Sequence, residues 1–321
     1  MITNEQLIRT PGELDELYPL SECAVRDRKQ TAIDIARILN GDDDRLLVIC
    51  GPCSLDDKIL PNGNHSVLEY TEKLQEIIED PLIEDNLKVV MRAPASKPRS
   101  ANGQAGLSQT NLDKAYELAV AIANMGMPLS MELMTRDDAD YFEKILSLGW
   151  VGARNVEDTT IRHIASDVSI PVLFKNSTNG SILPAERAIE TASTKHTVKR
   201  MRKDGRLVMR VSSGNENTGI IYRGGNVSDP DEFAQQFVRL KDVELPLIVD
   251  CSHGNSAAFG EGKKTPEAQM ACVKALRRLM ETKHIKPKGV MLESYLLAGS
   301  DTTGSTPGMS LTDPCIDIVQ T

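Results

Sequence analysis

The residues that could carry chemistry stand at the ends of short apolar segments. In "GVMLES" (289–294) a strand-like segment ends in the ionisable Glu293. The other apolar, β-branched segments of the chain are likewise followed by polar side chains. In chain order these polar residues are Cys53, Arg92, Lys97, Arg99, Glu132, Arg154, Lys175, Arg223, His253 and Glu293, and Asp313 follows near the C-terminus. One such residue would be an ordinary rim or core residue, but their repetition predicts a functional site.

Four of these residues form a set of metal donors. Cys53, His253, Glu293 and Asp313 offer one sulfur, one nitrogen and two carboxylate groups. A mixed set of this kind suits a divalent transition metal that keeps an open coordination position. The sequence therefore predicts that Glu293 ends its strand because it binds a metal.

The remaining strand-end residues are mainly cations. They are Arg92, Lys97, Arg99, Arg154, Lys175 and Arg223. Cations that converge on one place repel each other unless an anion lies between them, and arginine matches phosphate and carboxylate oxygens in bidentate fashion. We therefore expect two or more phosphate or carboxylate groups to bind beside the metal.

The order of the segments predicts how these residues are brought together. Continuous apolar runs suit parallel strands that are covered on both faces. Eight predicted strands alternate with helical patterns, which indicates an α/β fold of the (β/α)8 TIM-barrel type, whose functional face lies at the C-terminal ends of the strands. The strands are predicted at 46–50, 87–93, 127–133, 150–154, 171–176, 219–225, 246–253 and 289–294, and the clearest helices at 66–80, 112–126, 135–149, 229–242 and 265–283. A doubly wound open sheet is the alternative, although "CGPCS" (50–54) is not its G-x-G-x-x-G fingerprint.

Two segments are additional to the barrel. Residues 1–45 are predicted to form an N-terminal arm with a helix at 23–41, and residues 46–321 the catalytic barrel. Between the fifth and sixth strands, residues 198–219 predict a β-hairpin with an Asp204–Gly205 turn.

Composition narrows the class of protein. The net charge of −9 and the pI of about 5.2 argue against a nucleic acid or an anionic membrane as the main partner. No apolar run approaches the roughly 20 residues that cross a bilayer, and the polar N-terminus is not a signal peptide, so we expect a cytoplasmic protein. In such a protein the cysteines are expected to be free thiols or metal ligands. Cys50 and Cys53 could also form a redox pair, but Cys50 is expected to point into the core.

Several short motifs carry a resemblance to a known family. They are "RLLVICGPCS" (45–54), "KPRS" (97–100), "GAR" (152–154), "FKNSTNG" (174–180), "RGG" (223–225), "SHGNS" (252–256), "ES" (293–294) and "TD" (312–313). In this order, and over nearly the whole chain, they resemble the type I 3-deoxy-D-arabino-heptulosonate 7-phosphate (DAHP) synthases. The KDO8P synthases share the barrel and a similar "GPCS" segment but not the arm and hairpin. The chain is thus identified as a divergent member of the DAHP synthase family.

The resemblance implies a reaction and a role for each site residue. It implies condensation of phosphoenolpyruvate with erythrose 4-phosphate at a divalent metal (Mn²⁺, Fe²⁺, Co²⁺ or Zn²⁺), the first step of the shikimate pathway. The residues implied as metal ligands are Cys53, His253, Glu293 and Asp313, and those implied to hold phosphoenolpyruvate are Arg92, Lys97, Arg154, Lys175 and Arg223. Glu132 is included with the substrate-binding residues, Arg99 and Ser100 are implied at the aldose phosphate, and Lys97, Cys53 and His253 are taken as catalytic.

The chain also departs from the family pattern. "APAS" (93–96) and "ANGQAGLSQTNLDKAY" (101–116) replace the family's residues around "KPRS", beside the aldose end of the site. A different phosphoaldose acceptor, or a catalytically idle regulatory barrel, are therefore alternatives. Only eight residues follow Asp313, where the family has a final helix, so the N-terminal segment or a partner subunit is expected to cover strands eight and one. The arm and basic hairpin are expected to bind an aromatic amino-acid effector or to form contacts in a homodimer or homotetramer.

Overall fold

The computed structural model describes residues 7–95, 107, 111–225, 229–240, 243–282 and 285–321. Its strands are β1 (Leu46–Gly51), β2 (Leu87–Arg92), β3 (Leu129–Glu132), β4 (Leu146–Val151), β5 (Val172–Lys175), β6 (Thr197–Met201), β7 (Leu207–Val211), β8 (Thr218–Tyr222), β9 (Leu247–Asp250), β10 (Gly289–Tyr295), β11 (Leu297–Ser300), β12 (Met309–Ser310) and β13 (Ile316–Asp317).

Helices separate most of these strands. They are α1 (Pro11–Leu17), α2 (Glu22–Asn40), α3 (Ser66–Ile78), α4 (Pro81–Asn86), α5 (Leu112–Asn124), α6 (Arg136–Phe142), α7 (Thr159–Ala165), α8 (Leu183–Ala192), α9 (Pro230–Leu240), α10 (Gly254–Ala257) and α11 (Pro266–Glu281). No helix within the described ranges is both long enough and apolar enough to cross a membrane.

Eight of the strands close into a parallel barrel. Their order around it is β1, β2, β3, β4, β5, β8, β9 and β10, and β10 pairs with β1 to complete the ring. In the closing pair Gly51, the last residue of β1, lies opposite Glu293, so Glu293 lies at the C-terminal end of the barrel. The predicted (β/α)8 barrel is thereby confirmed.

The N-terminal helix α2 closes the opposite end of the barrel. Its Ile35 and Ile38 share one buried cluster with side chains of the barrel interior, including Leu47 and Trp150. Lys88 of β2, which is the second residue of its strand, forms an ion pair with Asp34 of α2 at 2.8 Å. The helix therefore lies across the N-terminal ends of the strands, away from the predicted functional face.

The last residues of the chain cover the side of β10, a task that the sequence had suggested for the N-terminal segment or a partner subunit. β13 extends the sheet beside β10, where Ser294 lies opposite Ile316. Cys315 and Ile316 are completely buried. Tyr70 of α3 packs against Tyr295 at the same place, with 5.7 Å between ring centroids.

The boundary between the third helix of the sequence prediction and the fourth strand was wrong. The helix predicted at 135–149 ends at Phe142, and the strand begins at Leu146 rather than at Trp150. All residues of β4 are buried, so its apolar positions do not alternate with polar ones and resemble the end of a helix. The predicted helix start is confirmed, since Thr135 and Asp138 form a reciprocal capping box.

The hairpin between the fifth and sixth barrel strands is also confirmed. β6 and β7 pair in antiparallel fashion over 197–211, and Gly205 adopts a φ of +80° in the turn. The residues from 212 to 217, which were predicted as part of the hairpin, connect it to β8. On its inner face the hairpin is fixed by Arg200, whose guanidinium contacts carboxylates of α6 and of the loops around it: Asp140, Glu143 and Asp167.

Candidate active site

Three of the predicted metal ligands meet at the C-terminal end of the barrel. Cys53, Glu293 and Asp313 each offer a donor atom, and these atoms all lie within 4.8 Å of one another. The Cys53 Sγ is 3.6 Å from Asp313 Oδ2 and accepts the Asp313 backbone N–H at 3.4 Å. Cys53 and Glu293 are completely buried. Residues 260 positions apart are thus brought into one set of sulfur and oxygen donors.

His253, the fourth predicted ligand, approaches this group from the side of Glu293. Its Nε2 lies 3.5 Å from Glu293 Oε1, while its Nδ1 lies 2.7 Å from Asp250 Oδ2. Burial lowers the pKa of His253, which favours the neutral imidazole that binds metals. An ionised carboxylate can only accept a hydrogen bond, and Asp250 at 2.7 Å is nearer than Glu293 at 3.5 Å, so the single proton of the neutral imidazole belongs on Nδ1 and Nε2 faces the donor group.

Asp250 is a site residue that the sequence reasoning missed. It ends β9 and is completely buried. Its Oδ2 accepts from both His253 and Lys175 Nζ, the latter at 2.8 Å. Burial opposes the charge of this carboxyl, yet the hydrogen-bonding neighbours His253 and Lys175 hold the pKa of Asp250 well below its usual range. A signal was present in the sequence, since Asp250 directly follows the apolar run "PLIV" just as Glu293 follows "GVML".

Arg92 connects the metal-type donors with the cations. Its Nη2 lies 3.0 Å from Glu293 Oε1. Burial alone would lower the pKa of Arg92, but the neighbouring Glu293 and Cys53 raise it, so the guanidinium stays charged. Its Nε and Nη1 find no hydrogen-bond partner in the part of the chain that the structure describes. The guanidinium carbon lies 5.6 Å from the centre of the Trp150 ring, which restricts its position.

Lys175 and Arg223 extend the cationic side of the site. Lys175 is buried, and burial together with the charge of Arg92 lowers its pKa although Asp250 opposes this. Burial also lowers the pKa of Arg223, with a contribution from Arg154. Arg154 itself is exposed. The structure thus places these predicted cations around the same end of the barrel.

The position of the Glu132 carboxylate depends on Gly152, which directly follows the neighbouring strand β4. A Cβ at Gly152 would overlap Glu132 Oε1, so this carboxylate lies directly against the backbone of the "GAR" segment. The charge of Glu132 also acts on Lys175. The remaining predicted residues, Lys97, Arg99 and Ser100, lie outside the described residues.

Comparison with known proteins decides the family. The sequence profile of the DAHP synthetase I family matches residues 23–317. The chain belongs to this family. Within it, the chain has the function of a 3-deoxy-7-phosphoheptulonate synthase, a transferase of aromatic biosynthesis. Its enzymes are generally metal-dependent, and the sulfur, nitrogen and oxygen donors grouped around Glu293 fit that requirement.

Individual members of the DAHP synthetase I family are similar to this chain over most of their length. The Tyr-sensitive phospho-2-dehydro-3-deoxyheptonate aldolase of Salmonella typhimurium is 32% identical over 335 residues, which cover 98% of this chain and 90% of that protein. The Trp-sensitive aldolase of Escherichia coli K12 is 32% identical, with coverage of 96% and 90%. The structure of the corresponding enzyme from Francisella tularensis has a TM-score of 0.85 at 29% identity and covers 100% of this chain and 95% of that one.

Lys264 is a second residue that the sequence did not single out. Its Nζ lies 2.7 Å from Asp313 Oδ1. It belongs to the loop between α10 and α11, beside another lysine, and carries no pattern that separates it from a solvated surface charge. Only the fold brings this loop to Asp313.

Cys50 and Cys53 have different surroundings despite their "CGPC" spacing. Neither forms a disulfide bond within the described residues. Cys50 belongs to the core between barrel and helices, near Tyr70, and burial raises its pKa to about 12. A thiol with this pKa is not a nucleophile at neutral pH, so the geometry does not favour a redox pair.

Proposed function

We propose that the chain joins phosphoenolpyruvate to erythrose 4-phosphate, releases inorganic phosphate, and uses a divalent metal held by Cys53, His253, Glu293 and Asp313. The observation that carries the proposal is the contact between the two halves of the site. Arg92 lies 3.0 Å from Glu293, so anion-binding cations and metal-type donors share one end of the barrel. A substrate phosphate or carboxylate bound by the cations would therefore lie next to the metal.

The cations are proposed to hold phosphoenolpyruvate. Arg92 and Lys175 are buried, and Arg223 and Arg154 approach from the adjoining strand ends. Buried cations bind anionic oxygens strongly because little water competes with them. Their fixed positions orient the enol carbon of the substrate towards the acceptor, and such orientation supplies much of the rate in two-substrate reactions. Glu132 limits the positive charge on the side of Lys175.

The metal donors are proposed to hold the metal beside the aldehyde of the acceptor substrate. When bound, the metal supplies Lewis-acid chemistry at the aldehyde oxygen. His253 is held by Asp250 with Nε2 directed at the donor group, and Cys53 is fixed by the backbone of Asp313. Because a mixed set of donors accepts several first-row ions, we propose Mn²⁺, Fe²⁺, Co²⁺ or Zn²⁺ as the metal.

The acceptor end is proposed from the "KPRS" motif. Lys97 is assigned as a proton donor to the aldehyde oxygen, and Arg99 and Ser100 as ligands of the aldose phosphate. Support comes from the preceding residues, because Ala93 and Ala95 are completely buried and therefore fix the chain immediately before the motif. Retention of Arg99 and Ser100 favours a phosphorylated aldose over a neutral one. The altered sequence on both sides of the motif makes another phosphoaldose the second candidate.

The effector, the cellular compartment and the oligomeric state are proposed from the names of the relatives and from the composition. The relatives' names include Tyr-sensitive and Trp-sensitive enzymes, which supports an aromatic amino acid as effector. We place the enzyme in the cytoplasm as a homodimer or homotetramer, without nucleic-acid or membrane partners, in keeping with the net charge of −9.

The decisive experiment follows consumption of phosphoenolpyruvate in the presence of Mn²⁺. Erythrose 4-phosphate is offered first, then other aldose phosphates and the matching unphosphorylated aldoses, each with and without a chelator. Chelator-sensitive consumption with erythrose 4-phosphate is expected. Consumption only with another aldose phosphate would redirect the acceptor, and no consumption with any aldehyde would overturn the proposal.

A further inference from the structure

Asp250 is bound on both of its carboxylate oxygens. Oδ1 accepts the backbone N–H of Ser252 at 2.9 Å and its hydroxyl at 2.8 Å. Oδ2 lies 2.7 Å from His253 Nδ1 and 2.8 Å from Lys175 Nζ. The side chain of Asp250 has no solvent exposure. The two Ser252 donors therefore fix the rotation of the carboxylate, and Oδ2 is left to serve the functional residues.

This arrangement controls which nitrogen of His253 can bind a metal. Nδ1 lies beside Oδ2, which can only accept, and 3.1 Å from the Ser252 hydroxyl oxygen, whose own proton is donated to Oδ1. Both neighbours therefore select the imidazole form with the proton on Nδ1. The Nε2 lone pair is then directed towards Glu293, which lies 3.5 Å away. A histidine with the proton on Nε2 would have no lone pair there and could not bind the metal.

We propose that Asp250 is a positioning residue that sets the metal affinity of the site by fixing the orientation and tautomer of His253. The inference rests on the proposed function only in taking His253 as a metal ligand. Carboxylates that orient metal-binding histidines typically change metal affinity by about 10–100-fold when they are removed. The positioning role can be distinguished from a purely structural role of Asp250, because the geometry of the replacement Asp250→Asn is predictable.

An asparagine at this position would be oriented by Ser252. Its carbonyl oxygen would keep the two Ser252 donors, so its NH₂ group would take the place of Oδ2. That NH₂ would donate to His253 Nδ1 and shift the proton of the imidazole to Nε2. It would also face the Lys175 ammonium, which is unfavourable for folding. The change is therefore tested in a Lys175→Met background, where this conflict is absent.

The experiment compares Asp250→Asn/Lys175→Met with Lys175→Met alone. Each protein is titrated with Co²⁺, and binding is followed by the visible and near-ultraviolet absorption of the cobalt–thiolate centre. The dissociation constant is expected to rise by about 10–100-fold when Asp250 is replaced. ¹⁵N NMR of the metal-free proteins is expected to show His253 protonated on Nδ1 with Asp250 and on Nε2 with asparagine. Equal dissociation constants, or an unchanged tautomer, would overturn the proposal.

Two controls separate the positioning role of Asp250 from a general loss of packing and from failure of the proposed metal site. Asp140→Asn removes an equally inaccessible carboxylate that binds Arg200 instead of His253, and it should leave Co²⁺ affinity unchanged. A Co²⁺ affinity lowered equally by Asp140→Asn would mean a general loss of packing and would overturn the positioning role. Cys53→Ala tests the metal site itself, with Co²⁺ binding read by equilibrium dialysis because this variant lacks the thiolate chromophore. Normal Co²⁺ binding in that variant would defeat the proposed site, whereas loss there with normal binding after replacement of Asp250 would defeat the positioning role alone.

Discussion

Arg92 and Glu293 form an ion pair at the C-terminal end of the barrel, with 3.0 Å between Nη2 and Oε1 and side-chain exposures of 2% and 0%. Arg92 belongs to β2 and Glu293 to β10, so the ion pair spans β1, the strand that lies between them. Taking charges out of water is costly, so a buried pair of this kind is weak evidence for stability and suggests a functional reason. Under the proposed function, an anion held by Arg92 would lie next to a metal held by Glu293.

Replacing Arg92 with methionine should destabilise the metal-free enzyme. Removing one partner of a buried ion pair typically costs about 3–5 kcal/mol because the other charge stays buried. Urea denaturation measures this difference. Added Mn²⁺ should recover part of it, since a metal on Glu293 replaces the lost positive charge and stabilises the folded state by mass action.

The matched control for Arg92 is Arg154→Met, which removes an exposed cation from the same site. Its stability should change by less than about 0.5 kcal/mol, as is usual for surface substitutions. Equal stability of the two variants would contradict the interpretation of the Arg92–Glu293 pair.

The two cysteines of "CGPC" should differ sharply in function. Cys53→Ala should lower phosphoenolpyruvate turnover by about 100-fold or more, because even partners outside the ligand set are worth about 10–100-fold in metal affinity or activity. Cys50→Ala should retain turnover, since this thiol belongs to the core between barrel and helices. Steady-state assays at saturating Mn²⁺ check both, and a comparable loss in both variants would point to a shared redox role instead.

Thiol labelling should distinguish the buried Cys50 from the exposed Cys23. Burial raises the pKa of Cys50 to about 12, so the thiol is neutral and unreactive well above pH 8. Cys23 is exposed on α2. Brief iodoacetamide treatment of the native enzyme at pH 8, read by peptide mass spectrometry, should therefore modify Cys23 and spare Cys50. Rapid labelling of Cys50 would show that its surroundings open in solution.

The carboxylates Glu293 and Asp250 illustrate how far sequence reasoning extends. Both directly follow the apolar residues of their strands, and that pattern was sufficient to select Glu293. Asp250 carries the same pattern, but its importance comes from Lys175, which is 75 residues away. The contact exists because β5 and β9 flank β8, and this adjacency follows from the order of strands in the barrel. Barrel type and strand-end residues are therefore predictable from periodicity, whereas contacts between particular side chains require strand order and register.

Lys264 and β4 show two other limits of sequence reasoning. Lys264 reaches Asp313 from an irregular loop, and no periodicity constrains the path of such a loop. β4 is buried on both faces, so its first residues resemble the end of the preceding helix. In both cases tertiary packing supplies the information that local pattern lacks.

Gly152→Ala should impair catalysis through Glu132. A Cβ at this position would overlap Glu132 Oε1 and displace the carboxylate from the neighbourhood of Lys175. Displacements of about 1 Å in an active site can cost about 100-fold, so kcat/KM for phosphoenolpyruvate should fall by about 10–100-fold. In a Glu132→Ala background the same glycine change should have no further effect, because the overlap is gone. A further loss in that background would assign the effect to the backbone.

Arg200 should be the main contact that holds the hairpin on the barrel. Its side chain is 5% exposed and contacts Asp140, Glu143 and Asp167, whose exposures are 0%, 20% and 5%. Arg200→Met would leave these carboxylates without that cation and should lower the free energy of unfolding by about 3–5 kcal/mol in urea denaturation. Arg206→Met changes an 83%-exposed cation of the same hairpin and should alter stability by less than about 0.5 kcal/mol. If both variants unfold at the same urea concentration, packing of Val198 rather than the Arg200 ion pairs must hold the hairpin in place.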